Sequence, residues 1–237
     1  MKKILVVLGL LVSSLPAHAQ NVKTFIPKKA PPMLPLLKEE ISRLMPDAEI
    51  PWYFGGLIEQ ESCLSLTHSR CWDPTSQLLT KREQGLGFGQ LTRTWNADGS
   101  PRFDTLADMR RAYNTELKDL SWDTLKDRPD LQMRTMILMV RKDLQYFGNV
   151  PDPINKYKFA DSSYNGGRGD VLRARTKCSM TPGCDANIWT GHVDLQSVKS
   201  DKPLYGTRSA KFINNEHVSN IFELRMEKYR PFFQKSF

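Results

Sequence analysis

The sequence is poor in the residues that metal and nucleophile chemistry draw on. Four histidines and four cysteines occur in 237 residues. The cysteines form two close pairs, Cys63 with Cys71 and Cys178 with Cys184. Neither pair has C-x-x-C spacing, and His68 is the one histidine beside a pair, which argues against a zinc site. No metal and no cofactor are expected. G-x-S-x-G is missing, and His68, His192 and His217 lack a serine or aspartate partner in a recognisable motif, which disfavours a serine-hydrolase triad. Beyond the first twenty residues, no apolar run approaches the length needed to cross a bilayer. Internal repeats are absent and strand signals are few.

The N-terminus is different in character. Lys2 and Lys3 precede an apolar run from Ile4 to Val12, followed by Ser-Ser-Leu-Pro and Ala17-His18-Ala19. A basic start, a short apolar centre and an A-x-A end are the parts of a secretory signal peptide. Cleavage is expected after Ala19, so residues 1–19 are set apart from the fold and a periplasmic or secreted location is expected. An uncleaved anchor is the rival reading; after cleavage no stable membrane insertion is expected. An oxidising compartment favours disulfides over cysteine nucleophiles. Four cysteines allow three connectivities; local pairing is preferred, because small loops close at low entropic cost. The formal charge is +8, and loss of Lys2 and Lys3 leaves about +6. Such a surface suits nucleic acid, anionic membrane or another polyanion. Export speaks against nucleic acid.

Residues 20–35, with Ile26-Pro27-Lys28-Lys29-Ala30-Pro31-Pro32, read as an extended lead-in, and residues 36–237 as one mainly α domain. Leu36 to Met45 has helical apolar spacing. Pro51 opens a second helix, Trp52 to about Ser62, at the position where its missing N–H costs nothing. Residues 65–101 read mainly as loop, with short helical or strand pieces allowed. Helices are expected near 103–119 and 129–147; in the second, Met133, Met136, Ile137, Val140, Leu144 and Phe147 form a continuous stripe ended by Gly148-Asn149. A helix near 153–164 runs into Tyr164-Asn165-Gly166-Gly167, and a last one spans about 216–229. The methionine and aromatic stripes are assigned to core packing.

Glu61 stands out on the second helix. Two residues along a helix is a rotation of roughly 200°. Glu59 is therefore expected to point away from the face of Phe54, Leu57 and Ile58, and Glu61 to lie on it. A carboxyl on an apolar face is costly unless paired or protonated, and desolvation favours the protonated form that a proton donor needs. Gly85-Leu86-Gly87-Phe88-Gly89-Gln90-Leu91 has glycines at alternate positions. That lets main chain approach a ligand and leaves Gln90 to present an amide. The strand and the Lys or Ser/Thr of a phosphate-binding loop are missing around it. Asp161-Ser162-Ser163-Tyr164-Asn165-Gly166-Gly167 sets an aromatic and an amide at a helix end. Phe88, Trp52, Trp72 and Trp95 are candidates to stack on a sugar, with core packing as the alternative use.

Together these segments carry a resemblance. Ile58-Glu59-Gln60-Glu61-Ser62 resembles the Glu-Ser motif of the soluble lytic transglycosylase (SLT) family, whose lysozyme-like fold is shared with goose-type lysozymes. Gly87-Phe88-Gly89-Gln90-Leu91 is similar to its Gly-Leu-Met-Gln motif, and Ser163-Tyr164-Asn165-Gly166-Gly167 to its Ala-Tyr-Asn-Ala-Gly motif. The similarity covers residues 50–95 and 155–175, about a third of the mature chain. It implies a single lysozyme-like, mainly α domain acting on peptidoglycan glycan strands. Glu61 would be the acid, then the base, that cleaves between N-acetylmuramic acid and N-acetylglucosamine. Ser62 would support substrate or the surroundings of Glu61, Gln90 would hydrogen-bond the sugar, Tyr164 would orient Glu61 through its hydroxyl, and Asn165 would contact the glycan. The muramic 6-hydroxyl would close on C1 to give a 1,6-anhydro end, with no second carboxylate required.

The chain departs from that pattern in three places. Gly89 stands where the family has methionine, which implies a wider cleft. The 74 residues from Gln90 to Tyr164 hold extra material around 100–128. Glu83 precedes the glycine loop in a context similar to the Asp-containing stretch of goose-type lysozymes, where a second carboxylate activates water. A hydrolytic muramidase using Glu83 is therefore an alternative, as is a glycan-binding module without catalysis. The resemblance fits wall remodelling, an envelope-spanning secretion or conjugation machine, and a phage setting alike.

Overall fold

The computed structural model describes residues 22–234. The expected signal peptide, residues 1–19, lies outside the described residues. Helix accounts for about 54% and strand for 9%, so the fold is mainly α.

The first helix, α1, runs Ala30–Leu44 and begins earlier than the sequence predicts. Prolines in a row suggest extended chain, but a helix tolerates them in its first turn, where N–H groups have no intrahelical partner. Burial of Ala30, Leu34, Leu37, Ile41 and Leu44 at helical spacing decides the outcome. The extended lead-in is thus corrected: residues 30–35 belong to α1. Helix α2, Tyr53–Ser62, follows as expected.

Residues 65–101 differ more. They hold β1 (Gln77–Leu79), β2 (Glu83–Leu86) and β3 (Leu91–Trp95), and with β4 (Pro101–Asp104) these form an antiparallel sheet in the order β1-β2-β3-β4. Glu83-Gln84-Gly85 and Thr92-Arg93-Thr94 lack an apolar alternation, so nothing in their composition announces strands. Leu86 and Leu91, paired in register, anchor the sheet to the core. Arg93 lies between Trp95 and Trp122, 5.2 and 4.7 Å from their ring centres.

Helix α3 spans only Thr105–Ala112, capped by the Asp104 carboxylate on the Ala107 amide. The 100–128 segment is no loose insertion: Leu106, Met109, Leu117, Leu120 and Leu125 are all buried in the main core. Helix α4, Pro129–Tyr146, carries the anticipated stripe into the centre of the molecule. Helix α5, Pro153–Gly166, starts on Asp152, whose carboxylate accepts the Asn155 amide. Helix α6, Arg168–Ser179, was not expected; it buries only Val171, Ala174 and Cys178, a stripe too sparse to read among charges. A short β5–β6 pair (Pro203–Tyr205, Arg208–Ser209) leads into α7, Ala210–Ser219. The expected last helix is broken into α7, a wider turn over Asn220–Arg225, a tight turn at Glu227–Tyr229, and α8, Arg230–Phe233, with Pro231 in its first turn.

Two apolar clusters result. The larger joins α1, α2, α4, the sheet and the C-terminal turns; the smaller joins Phe147, Phe159, Val171, Trp189 and Val218. Helix α5 serves both, with Tyr157 and Ala160 toward one and Phe159 toward the other. The disulfides are local, Cys63–Cys71 and Cys178–Cys184, the preferred pairing. No helix among the described residues is long and apolar enough to cross a membrane. The disulfides are compatible with an extracytoplasmic protein.

Candidate functional site

Helix α2 is buried at Tyr53 to Glu59 and again at Ser62, because the C-terminal turns pack against it as well as α5. Gly55 and Gly56 make this approach possible: a Cβ on either would stand 2.6 Å from the Tyr229 ring or 2.8 Å from Met226. The expected contrast between the two glutamates is therefore overturned. Glu59 is 0% exposed and is enclosed by Arg225 (2.9 Å), Lys228 (2.8 Å) and the Tyr229 hydroxyl (2.6 Å). A buried carboxylate with two cations and a donor is satisfied. Burial depresses Lys228, while Glu59 acts against that. Glu59 is thus a structural clamp between α2 and the tail.

Glu61 keeps 15% of its side chain exposed and faces α7. Its Oε1 lies 2.6 Å from His217 Nε2, and His217 Nδ1 lies 2.9 Å from Asp161 Oδ2. Tyr53 donates its hydroxyl to Asp161 Oδ1 at 2.7 Å. Four side chains from α2, α5 and α7 thus form one continuous line, and Asp161 is 0% exposed within it. Burial opposes charge on His217, but Asp161 and Glu61 on either side outweigh it and push the imidazole up to about 10.

Tyr164 approaches the same place by a different route. Its hydroxyl donates to the Gly89 carbonyl at 2.6 Å, not to Glu61 as the resemblance implies. Burial, then the charges of Glu61 and Asp161, raise it well above the ordinary tyrosine range, which places it within electrostatic reach of both. Gly89 is required by this contact, since a Cβ there would stand 2.4 Å from the Tyr164 oxygen. The space left by the missing side chain is taken up by Tyr164 and Met136 and does not widen a cleft.

The glycine loop is held from within. Gln132, fully buried on α4, accepts from the Phe88 amide (2.9 Å) and donates to the carbonyls of Pro74 and Leu125 (2.9 and 2.7 Å). Gln90 donates its amide to the Ser76 and Gly87 carbonyls at 3.1 and 3.0 Å, so its N–H groups brace the loop and only Oε1 is left for the expected hydrogen bond to a sugar. Phe88 is fully buried against Trp72, so its expected stacking on a sugar is replaced by packing. Ser62 is buried too: its Oγ donates to Ile58 and accepts from the Trp72 amide, tying the end of α2 to the Cys63–Cys71 loop. Asn165 is exposed at the end of α5, with Oδ1 held by Asn214 at 3.0 Å. Glu83 is half-buried on β2, on the same face as Gly85, over which the Gln90 side chain lies.

Comparison with protein-family models, curated proteins and solved structures finds no match to this chain. Function therefore has to be read from the constellation itself. Glu61 keeps a small opening to solvent, with Tyr164 in electrostatic reach of it and Gly89 bonded to Tyr164, while Asn165 is tied to Asn214 on α7; Ser62, Phe88 and Gln90 support the end of α2 and the glycine loop. His217, for which the sequence offers no serine or aspartate partner in a motif, finds Asp161 through the fold. A faint signal was present: Asp161 precedes Tyr164 by three residues on α5, and Asn214 precedes His217 by three on α7, each a polar pair on one helix face. Among the described residues no group of acidic, histidine or cysteine side chains could hold a metal ion.

Proposed function

We propose that this chain cleaves the glycan strands of peptidoglycan as a lytic transglycosylase, with Glu61 as acid and then base. The observation that carries the reading is the Glu61 carboxyl: one oxygen is anchored by a buried histidine, while the group keeps a limited opening to solvent and lies within electrostatic reach of Tyr164. A proton donor needs shelter and access together. In the first step the carboxyl proton passes to the glycosidic oxygen, and the C1–O bond breaks with its electrons leaving on that oxygen. The muramic 6-hydroxyl then bonds to C1 and returns its proton to the Glu61 carboxylate. The residues behind the loop keep this geometry rigid, and Asn165 offers its amide to the sugar.

Glu83 favours a second reading. It shares a sheet face with Gly85, over which the Gln90 side chain lies, and in a muramidase Glu83 would activate water from there. Digestion of purified sacculi followed by mass spectrometry separates the two. Anhydro ends that persist in Glu83→Gln support the transglycosylase, and reducing ends lost in Glu83→Gln support the hydrolase. Glu61→Gln is expected to lower clearing of sacculi by roughly 10²- to 10⁴-fold. Clearing equal to wild type would remove Glu61 from the chemistry, and a wild type that clears nothing would leave a binding module.

A further inference from the structure

We propose that His217, clamped by Asp161, is a positioning residue that holds Oε1 of Glu61 and thereby leaves Oε2 as the oxygen that delivers and recovers the proton. The inference rests on the reading of Glu61 as the acid and adds to it the device that sets the acid's geometry.

Both ring nitrogens of His217 face carboxyl oxygens, at 2.6 and 2.9 Å. A neutral imidazole satisfies both contacts only when Glu61 donates its own proton to Nε2, whereas an imidazolium satisfies both as a donor; the buried Asp161 carboxylate is what favours the imidazolium. Asp161 is suited to hold that cation. It is enclosed between the Tyr53 hydroxyl and His217 Nδ1, and a buried carboxylate without a cation would be costly. The groups facing His217 are Asp161 from α5 and Glu61 from α2, with Tyr53 and Tyr164 around those carboxyls. Cations on neighbouring elements are engaged elsewhere: Arg225 with Glu59 and Gln60, Lys158 with Thr190, Lys199 with Asp170 and the Gly166 carbonyl.

With Oε1 accepting from Nε2–H and the imidazolium charge balanced by the buried Asp161 carboxylate, Oε2 is the oxygen left to carry the transferred proton. When that proton goes to the glycosidic oxygen, the new carboxylate already has an imidazolium at hydrogen-bond distance. His217 keeps both its protons throughout, and the proton recovered from the attacking hydroxyl returns to Oε2. The cycle closes with no net change.

Histidine-selective ¹⁵N NMR on the full oxidised chain, with the signal assigned through His217→Gln, tests this without relying on activity. The His217 ring should stay doubly protonated past about pH 9, while an unperturbed histidine titrates near about 6.5. Asp161→Asn should bring the His217 titration down toward neutrality. Tyr53→Phe, a gentler change that leaves the Asp161 charge in place, should move it less. In sacculus digestion His217→Gln should lower kcat by roughly 10²-fold with little change in KM, and Asp161→Asn should acquire an alkaline limb near neutral pH. A wild-type His217 that titrates near 6.5, or a His217→Gln enzyme with wild-type kcat and pH profile, overturns the inference. Full activity in Glu61→Gln would instead strike the underlying reading, and the ring titration would still report on the clamp.

Discussion

At the scale of single residues, burial redistributes the roles that composition suggests. Phe88 looks like a stacking platform in sequence but is enclosed against Trp72. Phe88→Ala is therefore expected to cost about 3–5 kcal/mol of folding stability, measured by denaturant unfolding, while glycan affinity of the folded fraction stays unchanged. Gly89 reads as a place for ligand approach, yet its missing Cβ makes room for the Tyr164 hydroxyl. Gly89→Ala should displace that hydroxyl from the Gly89 carbonyl and reduce sacculus digestion more than Tyr164→Phe, which removes the hydrogen bond without a clash. Equal loss in the two variants would show that the hydroxyl, not its placement, is what matters.

At the scale of elements, α2 is the part on which the site depends. Its C-terminal residues face two different partners, α7 through Glu61 and the tail through Glu59. Replacing Glu59 by Gln strands Arg225 and Lys228 around a neutral group in a buried setting. A loss of about 3–5 kcal/mol is expected, seen as a lowered unfolding midpoint. Because the tail would loosen from α2, the loss should be accompanied by faster amide exchange in residues 225–234. The helical periodicity of α2 was legible in sequence; which glutamate met which partner was not, because periodicity describes a helix's own faces and not the surfaces brought against them. The same holds for β2 and β3, whose polar residues become strands through pairing with each other and through two buried leucines.

At the scale of the whole molecule, the site joins segments far apart in sequence, and its charge state is coupled to folding. His217 sits near 6.5 when unfolded and is pushed to about 10 in the fold. A group raised in this way contributes stability that is whole below about pH 6.5 and is lost as pH rises through about 10. The urea midpoint of wild type should therefore fall between those limits, with a shallower fall in His217→Gln; parallel curves would show that His217 is not held as a cation. The Cys63–Cys71 bridge, spanning eight residues, closes the loop that carries Trp72 against α2. Its reduction should lower stability by about 2–3 kcal/mol on the loop-entropy relation.

The chain's local chemistry was enough to specify α2, α4 and α5, since apolar spacing, proline at the first turn and a capping aspartate act within a few residues of one another. It was also enough to mark Glu61 as a candidate, with Tyr164 and Asn165 added by the resemblance, and to favour the local disulfides that form. Tertiary structure alone decided that Glu59 is the buried ion pair, that the Gln90 N–H groups brace their own loop, and that His217 and Asp161 stand behind Glu61. The reason is separation. Glu61 meets His217 across 156 residues and Glu59 meets Tyr229 across 170, distances over which only packing, and no local propensity, chooses a side chain's partner.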